Sequence, residues 1–237
     1  EATWIILPHD GGVISSSATE VLEQTFASAQ ALLVGPGLGQ DRQTEQFIRK
    51  LITGHEHIEA IGFVVSGQAH ERIELPPLVL DADALKLLTK IKDWYSLIPA
   101  NTILTPHPGE MSILTGLSVE AIQKERVQTA QEWSRKWGHV VVLKGAYTVI
   151  ASPDGRTMVI PVATPALARA GTGDVLAGVI AGLRGQGLDP FEAAALGAYL
   201  HGRAGELVVE LFLSAASVMA GDIADTLPEV FAELETS

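Results

Sequence analysis

The chain contains no cysteine, which removes disulfides, thiolate nucleophiles and cysteine-ligated zinc from consideration. Basic residues are scarce as well: 16 Lys and Arg stand against 28 Asp and Glu, for a net charge of -12. A surface of that sign repels nucleic acid and anionic membranes, and no basic stripe counters it, so neither is an expected partner. Any phosphate site must therefore be built locally. Apolar runs approaching the ~20 residues of a membrane helix are missing, and no signal-peptide pattern opens the chain, so the expected setting is the cytoplasm. Aromatic residues make up 5% of the chain; Trp94, Tyr95, Trp133 and Trp137 fall where helix packing is a better reading than a nucleobase stack. There are no repeats and no low-complexity tracts. The first residue is Glu1 rather than Met, which reads as a chain cut from a longer parent or processed.

What is present is a long apolar chain, 237 residues with 47% hydrophobic content, enough to bury the core of one α/β domain spanning 1–237. Short β-branched runs at Trp4–Leu7, Ala31–Val34, Ile61–Val65, Leu78–Leu80, Thr102–Leu104 and Val140–Leu143 read as strands buried on both faces. Helical patterns at Thr19–Ala29, Arg42–Ile52, Ala84–Lys90, Gly109–Thr115 and Val119–Trp137 lie between most of them, the alternation of a mostly parallel sheet. Ser152-Pro153-Asp154-Gly155 between two strand-like runs predicts an antiparallel hairpin at one sheet edge. Beyond Asp174 the chain turns helical, and Asp189-Pro190-Phe191-Glu192 supplies the start of a long Ala-rich helix through about Glu210.

Chemistry concentrates in Ala170-Gly171-Thr172-Gly173-Asp174, directly ahead of an apolar small-residue run. Two glycines around one hydroxyl residue let successive N–H groups point into a concavity at a helix N-terminus, a place that favours phosphate. Asp174 would put a carboxylate at the reacting edge, suited to taking a proton from an attacking hydroxyl. A Gly-rich turn with Asp174 as a helix cap is the plainer alternative.

Further loops follow strand ends, where open parallel sheets bind ligands. Gly35-Pro36-Gly37-Leu38-Gly39 lets backbone approach a ligand or simply turns the chain; its spacing is not the dinucleotide fingerprint. Asp81-Ala82-Asp83 offers Mg²⁺ ligation through water or helix capping, with Asp83 read as a cap and Asp81 left open. Thr105-Pro106-His107-Pro108-Gly109-Glu110 holds His107 stiffly, for a ligand or for a helix entry. Lys144 is a nucleotide contact or a solvated charge. His9-Asp10 and His55-Glu56-His57 read as solvated loops rather than zinc sites, so no metal ligand is assigned.

Taken in order, these loops, with Leu80-Asp81-Ala82-Asp83-Ala84-Leu85, Pro106-His107-Pro108-Gly109-Glu110 and Leu143-Lys144-Gly145, resemble the ADP- or ATP-dependent NAD(P)H-hydrate dehydratases over most of the chain. The resemblance implies a ribokinase-like three-layer sandwich and the repair of hydrated NADH or NADPH at the expense of ADP or ATP, with Mg²⁺. By position it implies Asp174 as the catalytic carboxylate and Gly171, Thr172 and Gly173 as the anion hole. Lys144, Gly145, Ala146, Tyr147, Thr148 and Gly173 would contact the adenine nucleotide, and Gly35, Gly37, Gly39, His107 and Asp174 the hydrated dinucleotide. It implies a homo-oligomer, a tetramer in that family, and a parent protein able to carry a fused epimerase domain. The chain departs from the family in starting after its Gly-rich opening unit and in placing Thr164 and Arg169 where an Asn and a Thr are common. Arg169 is then a cation near phosphate or a side chain turned to solvent. A ribokinase-like kinase of a small alcohol and a non-catalytic nucleotide-binding module are the competing functions.

Overall fold

The computed structural model describes residues 2–54, 73–212 and 214–236. A two-residue hairpin, β1 (His9–Asp10) with β2 (Val13–Ile14), precedes α1 (Ala18–Phe26). The sheet then takes β3 (Leu32–Val34), β4 (Leu78–Leu80), β5 (Ile103–Leu104) and β6 (Val140–Leu143) in parallel, each beside the next. Antiparallel strands β7 (Val149–Ala151) and β8 (Thr157–Val159) finish one edge, as the turn at 152–155 predicts. Crossovers are made by α2 (Arg42–Thr53), α3 (Ala82–Leu88), α4 (Pro108–Thr115), α5 (Val119–Lys124) and α6 (Arg126–Trp137). The chain closes with α7 (Thr172–Gly185), α8 (Pro190–Phe212), α9 (Ala220–Asp225) and α10 (Leu227–Glu235).

Three layers follow from the two-residue period of the strands. Val141 and Leu143 of β6 join Leu80 and Leu104 in a core against α2 to α6, among them Ile48, Leu51, Leu85, Met111 and Trp137. Val140 and Val142 point the other way, with Val79 and Ile103, into a core formed with Leu176, Ile180, Leu200, Ala204 and Ile223 of the C-terminal helices. Each such aliphatic side chain contributes roughly 1.5–3 kcal/mol by leaving water. Helices α7 and α8 approach closely because α8 carries glycine at the contact: a Cβ on Gly197 would lie 2.7 Å from Ile180 Cγ1, while one on Gly205 would lie 2.6 Å from Leu167 Cδ2 in the segment ahead of α7. This close seat sets the position of the α7 N-terminus. Among the described residues no helix is long and apolar enough to cross a membrane.

The sequence reading needs correction at two places. Trp4–Leu7 forms no strand; Trp4 and Ile6 are each 88% exposed, because an apolar run becomes a strand only where a neighbour accepts its backbone bonds. Val119–Trp137 is two helices, parted at Glu125 (φ -128, ψ 48) without a proline or glycine to announce it. The new helix turns Arg126 to the end of β6, where Nη2 donates to the carbonyls of Leu143 (2.8 Å) and Lys144 (3.3 Å). The Ile61–Val65 strand and the His55-Glu56-His57 cluster lie outside the described residues.

Candidate active site

Parallel pairing brings the loops after β3, β4, β5 and β6 to one edge of the sheet, stitched by backbone bonds from Asp81 to Val34, Thr105 to Leu80 and Lys144 to Pro106. The first loop is tied to the second at its base. Gly35 (φ +136) lies so close to Asp81 that a Cβ would stand 1.7 Å from the Asp81 carbonyl oxygen. Asp83 holds the other end, accepting from Gly39 N at 3.1 Å and Gln40 Nε2 at 2.9 Å. Its carboxylate therefore clamps the glycine loop instead of capping α3, contrary to the sequence reading. Asp81 occupies the cap position but makes no side-chain cap bond either.

Asp81 turns inward. Only 1% exposed, its Oδ1 accepts from Lys144 Nζ at 2.6 Å and from Thr105 Oγ1 at 2.8 Å, while Oδ2 is buried with no partner among the described residues. Glu110, also buried, brings Oε2 to 3.8 Å from Lys144 Nζ. Lys144 thus stands between two buried carboxylates and is no ordinary solvated charge. His107 caps α4: Nδ1 accepts from Gly109 N and Glu110 N at 3.0 and 3.2 Å, and Glu110 Oε2 accepts from His107 N, with Pro108 in the first turn. With Nδ1 accepting, the neutral ring carries its proton on Nε2, 3.3 Å from Glu110 Oε1.

Helix α7 begins at Gly171, whose φ of +85 requires glycine. Buried Thr172 spends its hydroxyl on the carbonyls of Leu167 (2.7 Å) and Arg169 (2.8 Å). Gly173 lies beside Lys144: a Cβ there would be 3.5 Å from Lys144 Nζ, an ordinary van der Waals contact. The Lys144 ammonium and the first turn of α7 therefore converge, and both attract an anion. Asp174 follows, exposed, and no hydrogen bond or ion pair of its side chain occurs among the described residues. Arg169 is exposed, and its guanidinium donates to the carbonyls of Ala216 and Ala215 at 3.0 and 3.5 Å, so it turns to the surface rather than to the anion site.

A cavity of about 550 Å³ opens beside this convergence. It brings together His107, Lys144, Gly145, Ala146, Thr148, Thr172 and Gly173 from the residues expected of the site, and adds an apolar wall of Val162, Pro165, Leu167 and Leu176. Gly35, Gly37, Gly39, Tyr147, Gly171 and Asp174 do not line it. Tyr147 is 56% exposed, at a φ of +56 that turns the chain after β6. Two contributors escaped the sequence reading. Arg126 braces the β6 loop from behind, its burial lowering its pKa. His201 of α8 lines the cavity from within the protein, and burial pushes its ring down to about 4. The one hint in sequence is a histidine amid the small apolar residues of Ala194–Gly205.

A mostly parallel sheet flanked by helices, with a helix N-terminus and a lysine meeting at the strand ends, defines the ribokinase-like class. A ribokinase-like superfamily protein of Enterococcus faecalis superposes on this chain with a TM-score of 0.73 at 26% identity, over 93% of this chain and 69% of its own. A family model described as NAD(P)H-hydrate dehydratase matches residues 12–229. The chain belongs to the NAD(P)H-hydrate dehydratase family. It is 36% identical over 219 residues to the ADP-dependent (S)-NAD(P)H-hydrate dehydratase of Bacillus subtilis, covering 92% of this chain and 69% of that one. The crystal structure of the B. subtilis ADP/ATP-dependent enzyme, co-crystallized with ATP/Mg²⁺, superposes with a TM-score of 0.68 at 36% identity, over 86% of this chain and 64% of that one. The bifunctional NAD(P)H-hydrate repair enzyme of Moorella thermoacetica is 41% identical over 224 residues, 94% of this chain. This chain spans 38% of that relative's length.

Proposed function

We propose that the chain performs nicotinamide-nucleotide repair, the ADP-dependent dehydration of hydrated NADH or NADPH, with ATP as the alternative phosphoryl donor. The observation that carries this reading is the meeting of Lys144 Nζ with the first turn of α7 at the mouth of the cavity, one residue before an open carboxylate. The apolar wall suits a nucleobase, and the anion-attracting end suits its phosphates. Asp174 would accept the proton of the ring hydroxyl as that oxygen forms a bond to the terminal phosphorus and the bond to the rest of the nucleotide breaks. Phosphate then departs with the former hydroxyl oxygen, a ring proton is lost, and the dihydropyridine is restored. Positive charge from Lys144 and the helix end stabilises the equatorial oxygens in transit.

The buried, unpartnered Asp81 Oδ2 and the nearby Glu110 carboxylate are hard oxygen donors, and Mg²⁺ commonly binds through one or two carboxylates together with substrate phosphates. Neither lines the cavity and the Lys144 ammonium stands between them, so they form no cation site among the described residues; an ion arriving with the nucleotide's phosphates would supply charge neutralisation there. Lys144 would remain the protein's own cation.

The test is hydrated NADH with ADP, followed at the reduced-nicotinamide absorbance. Recovery of absorbance with release of phosphate is expected, and Asp174→Asn should lose on the order of 10²–10⁴ in rate while still binding ADP. A stable phosphorylated alcohol without recovery would instead favour a kinase, and near-normal turnover by Asp174→Asn would remove Asp174 from the chemistry.

A further inference from the structure

His201 is a polar side chain that the fold satisfies on one nitrogen only. It is 6% exposed, it lines the cavity, and its Nε2 is buried with no hydrogen-bond partner among the described residues. Leaving such an atom unpaired inside a protein is costly, so its presence beside an open cavity points to a partner that arrives with a ligand. What surrounds it indicates which part of the ligand. The ring interacts with the backbone of Thr172, in the first turn of α7, and feels the charge of Lys144. Those are the two elements that converge on the anion-attracting end of the cavity.

Resting on the nucleotide reading above, we infer that His201 contacts the nucleotide's phosphate group and takes up a proton as that group binds, becoming a cation of the site beside Lys144. In the free protein the opposite holds. Burial and Lys144 both disfavour the charged ring and hold it at about 4, with only the Thr172 backbone working the other way. His107 lines the same cavity, and Asp174 of α7 is exposed outside it. Arg203 of α8 pairs with Glu206, Glu210 and Glu233, Asp222 caps α9, and Arg169 bonds the Ala215 and Ala216 carbonyls. An arriving phosphate inverts this field. At about 5 Å and an effective dielectric near 20, each negative charge raises the ring by on the order of two pKa units. That carries it from about 4 to the neighbourhood of pH 6 or above.

The experiment measures protons taken up when ADP binds to the intact chain at pH 6, by titration calorimetry in two buffers of different ionisation enthalpy. The wild-type protein is compared with His201→Gln, so that the titration of ADP itself is common to both and cancels. Proton uptake by wild type should exceed that by His201→Gln by roughly half a proton or more. In parallel, the ring nitrogens of wild-type His201 are followed by NMR, assigned through the residue's own side-chain carbons, so this arm does not depend on His201→Gln folding. They should move from the neutral to the doubly protonated pattern on saturation with ADP. ADP binding with equal proton uptake by the two proteins, or with a His201 ring that stays neutral, would overturn the inference while leaving the nucleotide reading intact. Failure of ADP to bind wild type at all would overturn that reading, and this one with it.

Discussion

Gly35→Ala should be the most damaging single methyl group that can be added to this site, though Gly35 does not touch the cavity. The new Cβ would fall 1.7 Å from the Asp81 carbonyl oxygen and 2.7 Å from the Asp81 carbonyl carbon. An ordinary contact of this kind is above 3 Å, so the loop and the β4–α3 junction must part by more than an ångström. Both partners are backbone, and no rotamer change relieves the clash. The backbone at φ +136 adds its own cost, since an L-residue there is held in a sparsely populated region, about 1–3 kcal/mol. Strain and displacement together should cost about 3–5 kcal/mol, the range of the most severe point mutations.

Gly37→Ala is the internal control. Its φ is +71 and nothing lies within 4 Å of the built Cβ, so it should lose only the left-handed preference, roughly 1 kcal/mol. Urea unfolding of the two variants measures the difference directly. Because the shifted junction carries Asp81, and Asp81 aims Lys144, Gly35→Ala should also weaken ADP binding where Gly37→Ala does not. If the two variants unfold at the same urea concentration, the loop does not rest on Asp81 and the packing argument fails.

Two further predictions bear on charge. Asp81→Asn leaves Lys144 with Glu110 at 3.8 Å as its nearest carboxylate and should cost about 2–3 kcal/mol of stability, somewhat less than a fully orphaned buried charge. Combined with Lys144→Met the losses should fall short of additive by at least about 1 kcal/mol, and strict additivity in denaturation would show that the 2.6 Å contact carries no coupling. Stability should also fall on acidification through the histidine range. The rings of His201 and His139 are both lowered from 6.5 by burial, His201 to about 4, so the unfolded chain binds more protons as pH drops below 6.5. The stabilisation from the neutral His201 ring, on the order of 3 kcal/mol, is complete above 6.5 and lost by about pH 4; urea midpoints that stay flat between pH 7 and 4.5 would refute it.

The division of the fold into strands and helices was readable because its signals are local. Runs such as Val140–Leu143 are β-branched and short, the loops after them are marked by glycine and proline, and Gly171 stands where a left-handed residue must begin α7. What escaped is set by partners far away in the chain. Asp83 caps a helix by any local rule, yet Gly39 and Gln40, 44 and 43 residues earlier, claim its oxygens. Lys144 is 63 residues from Asp81 and gives no sign of it in its own neighbourhood. The break at Glu125 exists so that Arg126 can reach β6, a tertiary contact that overrides an unbroken helical pattern. His201 shows the limit most plainly. Its helix is correctly read as a long Ala-rich one, but the cavity that gives its ring a use is made by α7, the loop after β6 and the segment after β8.

The exposure of Asp174 outside the cavity is a feature the proposed chemistry requires. Successive residues of a helix turn by about 100°, so Thr172, Gly173 and Leu176 lie on one side of α7 and Asp174 with Gly178 on the other. The structure follows this division: the first three line the cavity, and the last two are exposed. A carboxylate on the cavity side would oppose the negative charge of a nucleotide's phosphates. On the far side it is free to meet a hydroxyl that approaches from outside. The N-terminal end of α7 is the place that both sides share, and there the first turn of the helix and Lys144 Nζ meet. On the proposed function, a phosphoryl group held at that end would present its leaving bond toward the cavity and its opposite face toward Asp174. In-line transfer needs the donor and acceptor on opposite sides of phosphorus, and the helix end would separate them in that way without requiring them to share one pocket.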